Sequence, residues 1–309
     1  MRHPIDPKVD CVFKALLGAE SNRDLLIHFL NAVLGADLPR PIVAVEIQNP
    51  YNEKEFLDDK LTVVDVKARD ATGRMFQVEV QLLNHRDLAA RILYGWADLY
   101  RGQIKEGESY RKLRPTYAIW LLGQTLLPDD PDYAHEFRMR DQHGRAFLDH
   151  GGIWLLGLSK FATDTVETEE QRWLKFFNEA ERLDADALPV WMQTPEMRRA
   201  MSTLTAFSEK EHAYHAYQAR QEYLREQQSI RLEFDDLRAE VEQARADVEQ
   251  ERAAKEQERA AKEQARADAA QERAAKEQER AAKDEALAEN ERLKRLLADK
   301  PESPGLRPE

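Results

Sequence analysis

From Glu249 onward the chain repeats itself every seven residues, and no other stretch restricts its possible folds as tightly. Glu249-Gln-Glu-Arg-Ala-Ala-Lys255 is followed by the same seven residues at 256–262, and copies return at 271–276 and 277–283. Ala, Glu, Lys, Gln and Arg are all strong helix formers. Glu251 and Lys255, Glu258 and Lys262, Glu272 and Lys276, and Glu279 and Lys283 fall four apart in the favourable order. Each such pair adds about 0.3–0.5 kcal/mol. The segment is therefore predicted to be a helix that needs little help from a core. Just upstream, Ile230, Phe234, Leu237, Val241, Ala244 and Val248 follow the 4,3,4,3,4 spacing of a heptad seam. Large apolar residues at such positions call for a facing helix. The simplest one is the same segment of a second subunit, a homodimer through residues 223–248. Beyond Val248 the apolar stripe is Ala alone, which fits a weak zipper or a charged spacer helix equally well. The end, with Pro301 and Pro304, cannot continue a helix, and 299–309 are expected to be disordered.

The remaining residues set the class of protein. The 309 residues carry a formal charge of −12, with 42% hydrophobic and 34% charged residues. That acidity opposes non-specific nucleic-acid binding. Any contact with DNA must come through a local basic patch or a metal ion. Cys11 is the one cysteine, which excludes an internal disulfide and a cysteine zinc cage. No apolar run reaches the length of a membrane span, and Met1-Arg-His-Pro4 does not begin a signal peptide. A reducing, cytoplasmic location is the expectation.

The front of the chain alternates between two periodicities. A short helical piece over Lys8–Leu17 precedes a helix with Leu25, Leu26, Phe29, Leu30, Val33 and Leu34 at helical spacing, ended by Gly35. Ile42–Ile47, Leu61–Lys67 and Met75–Leu82 read as strands. The last two are joined by Asp70-Ala-Thr-Gly73, a turn with Gly where positive φ is needed. Asp87 to about Glu106 reads as a helix with Leu88, Ile92, Leu93, Trp96, Leu99 and Tyr100 on its apolar side, and Pro115–Leu122 as a fourth strand. Further strands are predicted within Tyr133–Arg140 and Ala146–Leu156, and helices around Trp173, Phe176 and Phe177 and from Pro195. His212 and His215 lack metal-site spacing.

Strands alternate faces with period two. Asp65 and Lys67 thus share one face of their strand, Glu79 and Gln81 one face of the next, and valines take the other side of both. In a suitable hairpin register the four polar residues converge. Two carboxylates there suit a hard cation such as Mg²⁺, which takes a few carboxylates and keeps waters and phosphate oxygens. The same alternation is shown by any half-exposed hairpin, so the pattern alone does not separate a metal site from a solvated face.

These pieces, in this order, resemble the Rpn family, the recombination-promoting nucleases and transposases of the PD-(D/E)XK superfamily. The likeness rests on Asp10-Cys-Val-Phe-Lys14, the helix Asn22–Leu34, Asp59-Lys60 with Val64-Asp65-Val66, Val78-Glu-Val-Gln81, Arg91-Ile-Leu-Tyr-Gly-Trp96 with Leu99-Tyr100, and Gly107-Glu-Ser-Tyr110. It extends through Phe137 and Trp154–Phe161, more loosely to about Ser229, and leaves the heptads outside. It implies an α/β fold with a restriction-endonuclease-like core of helix, three strands, helix and strand. It also implies Mg²⁺-dependent DNA endonuclease activity in recombination or mobile elements. Asp65, Glu79 and the carbonyl of Val80 would hold the metal. Gln81 stands where most of the superfamily has a Lys that orients water, as is common in this family. Gln supplies no positive charge, so Lys67 or Lys60 would provide it, with Asp10 and Lys14 as accessory residues reaching in from the first helix. DNA contacts would fall to Arg91, Arg101, Lys105, Arg111, Lys112 and Arg114, with Tyr94, Tyr100 and Tyr110 between them, while Trp96 reads as core. His85 reads either as a proton carrier or as a polar strand end. The resulting division is 1–160 nuclease-like, 161–222 helical extension, 223–298 charged helix and 299–309 tail. The competing reading is an inactive nuclease fold serving as a DNA-binding or scaffold protein, self-associating through the C-terminal helix.

Overall fold

The computed structural model describes residues 3–48 and 65–298. Lys60, the residues 61–64 of the expected second strand, and the tail from 299 lie outside the described residues. Helices α1 (Asp10–Leu17) and α2 (Arg23–Leu34) lead into strands β1 (Val45–Ile47), β2 (Val66–Asp70) and β3 (Met75–Gln81). Then come α3 (Leu88–Arg101), β4 (Thr116–Leu122), β5 (Ala134–Phe137) and β6 (Gly151–Gly157). The chain ends in α4 (Glu169–Glu179), α5 (Pro195–Ser208) and α6 (Glu211–Ala298). Among the described residues no helix is long and apolar enough to cross a membrane.

The strands form one sheet in the order β1-β2-β3-β4-β6-β5. The β1/β2, β2/β3 and β5/β6 pairs are antiparallel, and the β3/β4 and β4/β6 pairs are parallel. A parallel pair needs a long crossover, and α3 supplies it between β3 and β4. The β2–β3 turn is built as its sequence suggests. Gly73 has φ +88°, and Asp70 Oδ1 accepts from the backbone N–H groups of Thr72 and Arg74.

Period-two alternation feeds two cores. Phe76, Val78 and Val80 of β3, Tyr117, Ile119 and Leu121 of β4, and Trp154 and Leu156 of β6 face the larger one. α1, α2, α4 and α5 cover that face, with Phe13, Phe29, Trp173, Phe176 and Phe177 fully buried. The helices within the expected extension over 161–222 pack in the same core as the sheet. The opposite face is thinner: Ala118, Trp120, Leu122 and Leu155 pack under Leu88 and Ile92 of α3.

Three expectations are corrected. β1 starts at Val45 and not Ile42, because the backbone of Ile42 is hydrogen-bonded in both directions to the side chain of Asn31 on α2. α3 stops at Arg101, capped by Gly102, well short of Glu106. Leu93 is exposed, since the buried stripe runs through Leu88, Ile92, Gly95 and Leu99 and a neighbouring position points about 100° away.

Two compact units divide the chain, one ending at Ser229 and the other starting at Ile230. The second consists of α6 from Ile230 on, and the Glu–Lys pairs of the repeat form at 2.5–2.7 Å. Its seam residues Ile230, Phe234, Leu237, Val241 and Val248 are all exposed.

Candidate metal and nucleic-acid site

β3 is buried along almost its whole length, so its polar residues enter a covered environment. Val66 faces Val78 and Lys67 faces Gln77 across the hairpin. This register sets Lys67, Gln77, Glu79 and Gln81 on one face of the sheet, the face under α3. Glu79 is beside Trp120 of β4 and only 4% exposed. A carboxylate removed from water costs much more ionised than neutral. Burial, first, and the charge of Asp65, second, push the Glu79 pKa up to about 8. Hydrogen bonds from the Gln77 side chain (3.0 Å) and the Asp65 backbone, with the more distant Arg91, pull the other way.

Asp65 sits one residue before β2. Its Oδ2 accepts from the backbone N–H of Val80 at 3.0 Å, so the carboxylate is fastened to the strand that carries Glu79. Its Oδ1 lies 3.3 Å from Lys14 Nζ on α1. Gln81 Oε1 accepts from Arg91 Nη1 at 3.3 Å, and Gln81 Nε2 donates to the carbonyl of Leu83. Arg91 lies over the Trp120 ring, 5.8 Å from its centroid. Two carboxylates thus interact across neighbouring strands, with one Lys and one Arg at the edges.

The donor set fits a hard cation. It is all oxygen, and the charge of Arg91 does not offset the burial of Glu79 and its repulsion by Asp65. Gln77 Oε1, also buried, has no hydrogen-bond partner among the described residues. No group of three or more His, Cys, Asp and Glu residues able to hold a metal exists among the described residues. Two carboxylates, completed by waters and phosphate oxygens, are the pattern of Mg²⁺ rather than of a caged structural metal.

The other anticipated residues fall elsewhere. Lys67 is half-buried on the Glu79 face, further down the hairpin, opposite Gln77. Asp10 does not accompany Lys14 toward Asp65: its carboxylate accepts from Arg220 Nε of α6 at 3.1 Å. His85 is exposed, and its carbonyl caps the start of α3.

The six basic residues do not make one patch. α3 runs back along the sheet, so Arg91 near its start lies at the carboxylate end. Gln103, just beyond the helix, reaches Thr116 at the far end of β4. Arg101, Lys105, Arg111, Lys112 and Arg114 gather at that far end, roughly 13–20 Å from Glu79 at strand rise. Arg101 pairs with Asp98 and Lys112 with Glu108. Trp96 donates to the Thr116 carbonyl and stacks on Tyr100, whose hydroxyl bonds His150, so both serve packing, while Tyr94 and Tyr110 are exposed. Gln77 is the site residue that sequence reasoning missed. Its signal was present, two positions before Glu79 in the alternation.

A family model described as PD-(D/E)XK nuclease family transposase matches residues 7–232. The match takes in every side chain just placed around Glu79 and stops short of the heptad repeats. No curated protein and no solved structure matches the chain.

Proposed function

The chain belongs to the PD-(D/E)XK nuclease family transposases, and from that premise we propose that it is a metal-dependent DNA endonuclease acting in recombination or mobile-element biology. The observation that carries the reading is the buried Glu79 carboxylate, its pKa raised to about 8 beside Asp65. A fold tolerates such a charge deficit where a cation is meant to bind. Asp65, Glu79 and the Val80 carbonyl are the proposed ligands for Mg²⁺ or another divalent cation. When bound, the cation acidifies a water and offsets charge on the phosphoryl oxygens.

The chain's own residues do the positioning. Gln77 orients the Glu79 carboxylate, and the Val80 N–H and Lys14 orient that of Asp65. Gln81 is assigned a hydrogen bond to the attacking water. The positive charge it lacks is available from Arg91, whose guanidinium it already binds, so Arg91 is assigned the scissile phosphate. Lys67 and Lys60 become secondary candidates for that charge. Arg101, Lys105, Arg111, Lys112 and Arg114 are assigned flanking DNA backbone, about half a DNA turn from the cut, rather than the reacting group.

The test is nicking of supercoiled plasmid by the full chain, with Mg²⁺ or with chelator. Wild type is expected to cut only with the cation, and Asp65→Asn and Glu79→Gln to lose at least about 10³-fold in rate. Equal rates in folded variants would overturn the proposal. Mg²⁺-independent DNA binding without cleavage would point instead to the scaffold reading.

A further inference from the structure

The exposed seam of α6 carries a charge code on its flanks. The step from Ile230 to Phe234 is four residues and the next is three, which makes Ile230, Leu237 and Ala244 d positions and Phe234, Val241 and Val248 a positions. The flanking positions then separate completely by sign. Every e position is basic: Arg231, Arg238, Arg245 and Arg252. Every g position is acidic: Glu226, Glu233, Glu240 and Asp247. In a parallel pair each g residue meets the e residue five positions later on the other helix. Glu226 meets Arg231, Glu233 meets Arg238, Glu240 meets Arg245 and Asp247 meets Arg252, all attractive. In an antiparallel pair e meets e and g meets g, so Arg opposes Arg and acid opposes acid.

We propose that residues 226–252 form a parallel, in-register, two-stranded coiled coil with a second copy of this chain. The occupant is chosen by complementarity, because the segment's own charge pattern is its best complement. Stoichiometry follows from the middle of the seam, where Leu237 at d and β-branched Val241 at a favour two strands. The apolar side chains left in water supply the driving force. Phe234 is 67% exposed and Leu237 55% exposed. The coil ends near Arg252 for a stated reason: the next d and a positions are Glu251 and Lys255, and the alanines of the repeat fall at f and g. The repeat is thus a solvated continuation and not a longer zipper.

Sedimentation equilibrium of the full chain across a concentration series reads the partner. A mass twice that of one chain, dissociating on dilution, is expected. A single-chain mass at every concentration, or a trimer, overturns the proposal. Two charge-inverted variants read the pairing: R238E/R245E/R252E places acid at both flanks, and E233R/E240R/D247R places base at both. Each alone should shift to monomer, and an equimolar mixture should restore a one-to-one dimer. Variants that dimerise like wild type refute the proposed contacts. Orientation is read by A244C in a C11S background. An in-register parallel pair sets the two thiols against each other and cross-links on mild oxidation. An antiparallel overlay of the seam sets Ala244 against Phe234, so a dimer that fails to cross-link refutes the orientation. None of these readouts depends on nuclease activity.

Discussion

The unit ending at Ser229 and the helix beyond it invert the usual burial of side chains in opposite ways. In the first, Glu79 is an ionisable carboxyl group held out of water, where most proteins would place an apolar residue or leave the carboxylate exposed. In the second, Phe234, Leu237 and Val241 are apolar side chains held in water, on a helix rich in charged residues. Each inversion marks a demand that the single chain leaves unmet: a positive charge at Glu79, and a covering surface at the seam. The costs also differ in kind. A buried carboxylate penalises the fold only when it ionises, so its cost follows pH. Exposed apolar surface costs about the same at every pH and is relieved by concentration.

The sharpest way to break this contrast is to damage one region and look for an effect in the other. Trp173 is fully buried and packs against Phe29, Phe176 and Phe177. Trp173→Ala should cost the first unit roughly 3–5 kcal/mol, seen as a large loss in its cooperative melt. The helical signal of the repeat should persist above that transition. If both signals vanish together, the two units are one cooperative body and the comparison fails.

Glu79 tests the pH side of the contrast. Its native pKa, about 8, lies above the ordinary carboxylate value of 4.5. Between those values the native state keeps a proton that the unfolded chain has lost. The stability associated with that proton is fully present below about pH 4.5 and is lost as pH rises through about 8. Glu79→Gln preserves shape and an acceptor for Gln77 and removes the titration. In chelator it should match wild type near pH 4 and exceed it by roughly 2–4 kcal/mol near pH 9. Mg²⁺ should raise the wild-type melting temperature and leave the variant unchanged. A stability gain independent of pH would mean that burial does not govern this carboxylate. Lys14→Met should cost far less, about 0.5 kcal/mol, because the lysine side chain of the Lys14–Asp65 pair is 41% exposed and its charge is partly screened by water.

How much of this was legible depends on how far apart the interacting residues lie in sequence. Val66, Val78 and Val80 announced the buried face of the hairpin, and with it the placing of Glu79 on the other side. Gly73 announced the turn. Neither needs knowledge of distant contacts. The burial of Glu79 was not legible, because it requires Trp120 beside it and α3 above it, and strand alternation reads only one element at a time. The same limit hid the exchange of partners at α1. Asp10 and Lys14 share a helix side, yet one goes to Arg220 and the other to Asp65. Clustering along the chain misled for the basic residues as well: Arg91 and Arg101 share one helix whose length carries them to opposite ends of the sheet.

The smallest effect belongs to the repeat, and it isolates what holds a helix without a core. Glu251–Lys255, Glu258–Lys262, Glu272–Lys276 and Glu279–Lys283 are solvent-exposed ion pairs, so each contributes by position on the helix and not by desolvation. Replacing all four lysines by Gln keeps helix propensity and removes the pairs, and should cost about 0.3–0.5 kcal/mol per pair in the gradual melt of the tail. About 1 M NaCl should lower the wild-type tail toward the variant, since exposed charges are screened at that ionic strength. Dimerisation should not change, because the lysines removed lie C-terminal to Arg252. A variant tail that melts like wild type at low salt would show that alanine and glutamate propensity alone sustains the segment. The helix beyond the seam would then need neither partner nor ion pair, and its exposed charges would serve solubility alone.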